Sequence, residues 1–171
     1  MAPIGWMVFN NPERRNAVSL DMWAAIPDIM DAFEQDQSVR LIVLRDTGGK
    51  AFVSGADISQ FETARASAES VAAYDRVTEQ AGRRLTGTAK PTIAMIEGYC
   101  IGGGLGIAIG CDLRLAAAGA RFGVPAAKLG LGYGGRRQTP ARFGRPRPCE
   151  GNLLYRPPVH RWPSNAPSTR C

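Results

Sequence analysis

Two stretches of small residues carry the chemistry open to this chain. The first, Ala51-Phe52-Val53-Ser54-Gly55-Ala56-Asp57-Ile58, follows the apolar run Leu41-Ile42-Val43-Leu44. The second, Gly98-Tyr99-Cys100-Ile101-Gly102-Gly103-Gly104-Leu105-Gly106, follows an apolar strand pattern from Pro91 to Ile96. A strand that feeds a glycine-rich turn and opens a helix leaves backbone N–H groups free at the helix N-terminus. Those groups, with the helix dipole, favour negative charge. Two such turns at the ends of neighbouring strands can aim two N–H donors at one point, the geometry that stabilises a developing oxyanion. Packing alone also uses such turns, and the residues by themselves leave both readings open.

The elements that would position these turns alternate. Ile4 to Phe9 reads as a first strand, ended by Asn10-Asn11-Pro12. Glu13 to Asn16 reads as a charged, exposed loop. A helix is expected from Ser19 to Gln35, capped by Ser19, with Leu20, Trp23, Ile26, Met30 and Phe33 on one face. Pro27 is a cost within it. Val39 to Arg45 reads as the next strand. A second helix is expected from Ala68 to Leu85, with Val71, Tyr74, Val77, Ala81 and Leu85 on one side. The central strand follows, then an apolar helix from Leu105, then short strands at Leu113–Ala117 and Arg121–Val124. The expected class is α/β with a largely parallel sheet.

At 171 residues the chain has the length of one domain, and 44% hydrophobic residues suffice for a core. Its net charge of +6 is unevenly placed. Residues 135–171 hold 8 arginines, one glutamate and 7 of the 12 prolines, whereas residues 1–134 are close to neutral. The basic balance therefore gives the core no nucleic-acid signal. The four cysteines have no metal-ligand spacing, and Cys100 and Cys111 sit in apolar runs as small hydrophobes. No uncharged apolar run is long enough to span a membrane, and Met1 leads straight into a strand pattern. A cytoplasmic protein without membrane association is expected.

Phe52 to Ile58 and Gly98 to Gly104 together resemble the crotonase superfamily, the enoyl-CoA hydratase/isomerase family. Asn10-Asn11-Pro12-Glu13-Arg14-Arg15-Asn16-Ala17, Cys111-Asp112-Leu113-Arg114-Leu115-Ala116 and Phe122-Gly123-Val124-Pro125 add three blocks in the family's order. The resemblance covers Ile4 to about Gly134. It implies a spiral of ββα units, incomplete here and without the family's C-terminal helical part, and an N-terminus about one strand short. It further implies an acyl-CoA substrate, with coenzyme A as part of that substrate and no separate cofactor or metal. It implies trimers or hexamers for full-length relatives, an assembly this chain is not expected to reach without the C-terminal helices.

Site residues follow from the resemblance position by position. The two enolate-stabilising N–H groups fall on Ala56 and Gly103, flanked by Gly102 and Gly104. Contacts to CoA fall on Arg14, Arg15, Asn16 and Ala17, and on Lys50, Ala51, Ser54, Asp57 and Ile58, with Arg15 and Lys50 read either as facing the phosphates or as ordinary solvated charges. The family's two hydratase glutamates fall on Gly106 and Ala126, so both carboxylates are absent. Dienoyl-CoA isomerases carry an acidic residue where this chain has Gly134. Tyr133 matches a tyrosine of the superfamily's methylmalonyl-CoA decarboxylases, although it reads first as an aromatic wall of the pocket. Hydration, isomerisation, decarboxylation or thioester hydrolysis, impaired by the truncation, and acyl-CoA binding without catalysis are the readings left.

The tail departs from this pattern. From Gly135 apolar periodicity disappears, and arginine, proline and glycine codons dominate when GC-rich DNA is read out of frame. Shifting the frame by one base lets Phe143 to Tyr155 encode Leu-Val-Gly-Pro-Ala-Arg-Ala-Lys-Glu-Ile-Phe-Phe-Thr, which resembles what the family carries at this point. Residues 1–134 are thus read as the acyl-CoA-binding core. Residues 135–171 are read as an out-of-frame, disordered tail in which His160 has no catalytic context; a basic tail for acidic partners is the competing reading.

Overall fold

The computed structural model describes residues 3–57, 68–125 and 160–162, the last three and Ala68 by backbone only. Strand β1 (Ile4–Phe9) alternates, turning Met7 and Phe9 into the core. A single 3-10 turn (Pro12–Arg14) then leads to helix α1 (Leu20–Gln35), whose N-terminus is capped by Ser19 Oγ accepting the Met22 N–H at 3.2 Å. Trp23, Ile26 and Met30 are its buried face, and the helix continues through Pro27. Leu20, expected on that face, is exposed.

Strand β2 (Leu41–Asp46) lies parallel to β1, with Met7 opposite Leu44. Helix α2 (Ala68–Gly87) buries Ala81 and Leu85. The Arg84 guanidinium holds α2 to α1 through Asp31 and Glu34. Strand β4 (Thr92–Ile96) pairs parallel with β2, and β6 (Leu113–Ala117) with β4. Asp112 Oδ2 accepts both the N–H (2.9 Å) and the hydroxyl (2.8 Å) of buried Thr92, fixing the start of β4 against the turn before β6.

The sequence reading had one strand running into the glycine-rich turn; two strands occupy that interval. After β4 the chain turns at Gly98 and enters β5 (Tyr99–Ile101), which belongs to a second, smaller parallel sheet with β3 (Ala51–Val53) and β7 (Arg121–Gly123), in the order β3-β5-β7. The stretch from Ala51 to Val53, read as part of a turn, is therefore a fully buried strand. Phe9 and Phe52 meet edge-on with ring centroids 5.5 Å apart, joining the two sheets. Helix α3 (Gly103–Gly110) starts two residues earlier than periodicity placed it, because glycines add no apolar signal to its first turn.

The segment read as a disordered tail contributes a strand. His160–Trp162 (β8) pairs parallel with β6, giving the larger sheet the order β1-β2-β4-β6-β8. The open edge of β6 offers unpaired N–H and C=O groups to an extended segment. The outward face of this sheet carries the exposed side chains of Trp6, Val8 and Leu113. Among the described residues no helix is long and apolar enough to cross a membrane, and no group of His, Cys, Asp and Glu is placed to hold a metal ion.

Candidate functional site

The site is built where the end of β3 meets the start of α3. The loop after the 3-10 turn lies along residues 54–57. Ser54 N–H donates to Arg15 O (3.2 Å), Val18 N–H to Gly55 O (2.8 Å) and Asp57 N–H to Val18 O (3.0 Å). These bonds make a parallel bridge between Val18 and Ala56. In a parallel bridge one residue bonds to the neighbours of its partner on either side. The N–H of Ala56 therefore points away from the loop, and among the described residues it meets no acceptor.

The other side of Ala56 faces α3. Gly102 precedes the helix at φ 54 and ψ −115, a backbone open to glycine alone, and its N–H is held by Gly123 O at 2.8 Å. Gly103 is the first helical residue, so its N–H is one of those an α-helix leaves without an internal partner. A Cβ built on Gly103 would stand 4.0 Å from the Ala56 nitrogen and 3.1 Å from Cζ2 of Trp23. The two amide groups are thus neighbours, with the Trp23 ring behind them. Trp23 Nε1 is buried and has no hydrogen-bond partner among the described residues. The N–H at the start of α3 and the neighbouring Ala56 N–H, both without an acceptor among the described residues, can bind an oxygen that carries negative charge.

The remaining expected residues divide by environment. Arg14 is exposed, and its Nη1 lies 2.8 Å from Oδ2 of the well-buried Asp57 carboxylate, holding the loop beside Ala56. Arg15 and Lys50 are exposed, on either side of the buried segment Asn16–Val18 and Ala51–Val53. Asn16, expected in an exposed loop, is 1% exposed, and its carboxamide is bonded within the protein. Ala17 and Ala51 are buried as well, whereas Ser54 is half-buried with its hydroxyl 3.3 Å from Arg14 O. Gly104 is buried against β3, where a Cβ would come 2.5 Å from the Val53 carbonyl oxygen. Ile58 and Tyr133 lie outside the described residues, as do Ala126 and Gly134. Gly106 is exposed, and a Cβ there would meet nothing within 4 Å among the described residues.

Sequence reading missed the weight of Asn16. The available signal was its type, since asparagine tolerates the left-handed backbone it adopts here at φ 54.

Comparison with known proteins identifies the family and the fold. The family model described as enoyl-CoA hydratase/isomerase matches residues 1–145, beyond the Gly134 limit read from the motifs. The crotonyl-CoA hydratase of Syntrophomonas wolfei is 34% identical over 140 residues, covering 81% of this chain and 53% of that protein. The short-chain-enoyl-CoA hydratase of Clostridium acetobutylicum is also 34% identical, over 140 residues with the same shares. Among solved structures, an enoyl-CoA hydratase/isomerase family protein from Hyphomonas neptunium superposes with a TM-score of 0.75 at 46% identity, over 78% of this chain and 51% of that one. The chain thus spans about half the length of the relatives it matches. With the motif order, the parallel sheets and the matched length all in agreement, this chain belongs to the enoyl-CoA hydratase/isomerase family.

Proposed function

We propose that the chain binds an acyl-CoA thioester with its carbonyl oxygen between the N–H groups of Ala56 and Gly103, and stabilises the thioester enolate there. The observation that carries this reading is the Val18–Ala56 bridge, which turns the Ala56 N–H toward the first turn of α3. Negative charge on the enolate oxygen is stabilised by donors already in place, without reorganisation at the moment of reaction. Exposed Arg15 and Lys50 suit the phosphates of CoA, with Arg14 fixed by Asp57. Coenzyme A enters as part of the substrate, and the site needs no separate cofactor.

The experiment is Gly103→Pro. Proline is tolerated at the first helical position but has no N–H. Losing one such donor typically costs about 10²–10³-fold in turnover. Turnover of crotonyl-CoA or methylmalonyl-CoA at the wild-type rate by a folded Gly103→Pro protein would rule the assignment out.

A second reading within the family rests on Gly106. Hydratases carry a carboxylate at this position, and here it is a glycine with open space around it among the described residues. Chemistry that needs only enolate stabilisation, such as loss of CO₂ from a malonyl-type thioester, suits this site better than hydration. Binding of acyl-CoA without turnover is its limiting case.

A further inference from the structure

The carboxamide of Asn16 makes three hydrogen bonds to three separate segments. Its Oδ1 accepts the N–H of Asn11 at 2.8 Å; its Nδ2 donates to Thr47 O at 3.0 Å and to Ala51 O at 2.7 Å. One side chain therefore ties together the loop after β1, the turn after β2 and the first residue of β3. Its backbone is left-handed at φ 54, as is that of Arg15 at φ 52, so the chain makes a sharp reversal between the 3-10 turn and Val18. That reversal sets the level at which Val18 meets Gly55 and Asp57. The direction of the Ala56 N–H depends on that level.

We infer that Asn16 is a positioning residue: it touches no substrate and acts by holding the loop that aims the Ala56 N–H. The inference rests on the donor assignment of Ala56 proposed above. It differs from a CoA contact, because the side chain is 1% exposed and its oxygen and amide group are already bonded within the protein.

The test compares the wild type with Asn16→Gly, which keeps the left-handed backbone and removes the carboxamide. Should the glycine variant fail to fold, Asn16→Asp keeps the acceptor for Asn11 and removes both donors. The first measurement is amide hydrogen exchange without ligand. Exchange at Val18 and Asp57 should rise by about tenfold or more while the β1–β2 amides stay protected. The second is the infrared carbonyl band of butyryl-CoA labelled with ¹³C at the thioester carbon. The band should move to lower frequency on binding the wild type and return toward its free position in the variant. Affinity for CoA itself should stay within about twofold, as for changes away from a contact. Unchanged exchange at Val18 and Asp57, an unchanged band shift, or a collapse of CoA affinity would overturn the inference. If the wild type binds butyryl-CoA without moving the band, the donor role of Ala56 falls instead, and the exchange result still decides whether Asn16 holds the loop.

Discussion

Gly104 lies so close to Val53 that a Cβ on the glycine would come 2.5 Å from the valine's carbonyl oxygen and 2.6 Å from its Cβ. This contact presses the first turn of α3 onto β3, and it sets how near Gly103 stands to Ala56. The spacing of the two amide groups is therefore a packing distance between a helix and a strand. Any side chain at Gly104 would have to push the helix away.

Gly104→Ala is accordingly expected to destabilise the fold. Overpacking of this kind typically costs about 1–3 kcal/mol, and the upper end applies because the obstacle is backbone that cannot swing aside. Denaturant midpoints of the variant and the wild type measure it. A midpoint unchanged within error would mean that α3 can lift off β3 freely.

Asp46 gives the fold a pH dependence. The carboxyl is 4% exposed, and its Oδ2 accepts the Gly49 N–H at 2.9 Å. Burial pushes its pKa up from 3.8, and the charge of Glu97 pushes in the same direction, against the Gly49 bond and Arg45. A carboxyl raised on folding binds its proton more tightly in the native state. Stability from this group is greatest below the unfolded pKa and falls as pH rises through the window between the unfolded and folded values. Asp46→Asn keeps an acceptor for Gly49 and removes the titration. The variant should be more stable than the wild type at neutral pH, with the difference closing as pH falls below about 4. A wild-type advantage at neutral pH would contradict this.

How much of this was legible in the sequence depended on element length. α1, α2, β1 and β4 carry enough apolar residues at a fixed spacing to be read directly. Strand β7 was read as Arg121–Val124, but β3 and β5, three residues each, are too short to show a period, and β5 sits between glycines. The second sheet was therefore hidden, although the turns at its strand ends were found. Asn16 was read with its charged neighbours as an exposed loop, because its burial comes from hydrogen bonds to Thr47 and Ala51, more than 30 residues away. β8 could not be read, since the Pro/Arg-rich composition around it argues against a strand.

The two described cysteines should be chemically silent in the native protein. Both thiols are buried, and burial pushes their pKa up to about 12, leaving almost no thiolate at neutral pH. Mass spectrometry after brief exposure to iodoacetamide should find Cys100 and Cys111 unmodified without denaturant and modified with it. Fast native labelling of either would show that β5 or the end of α3 opens readily.

The last prediction concerns Gly106 and is a gain of function. This residue lies three positions after Gly103 on α3, and helical side chains lean toward the N-terminus of their helix. A side chain at 106 therefore reaches back over the turn that carries the Gly103 N–H. Among the described residues nothing stands within 4 Å of the Cβ it would add, so the start of a glutamate side chain has room there. Replacing an interior helical glycine should itself stabilise α3 by about 0.5–1 kcal/mol, and a carboxylate in the first turn suits the helix dipole. Chemically, Gly106→Glu supplies one carboxylate that hydration needs and the wild type lacks. The wild type should hydrate crotonyl-CoA poorly, and Gly106→Glu should raise the rate while Gly106→Gln does not. A positioned acid or base typically contributes about 10²–10⁴-fold, and with one of two groups restored the gain should fall toward the low end. Fast hydration by the wild type would show that another residue already supplies the acid and base. An equal gain from glutamine would show that filling the space, and not proton transfer, was what the site lacked.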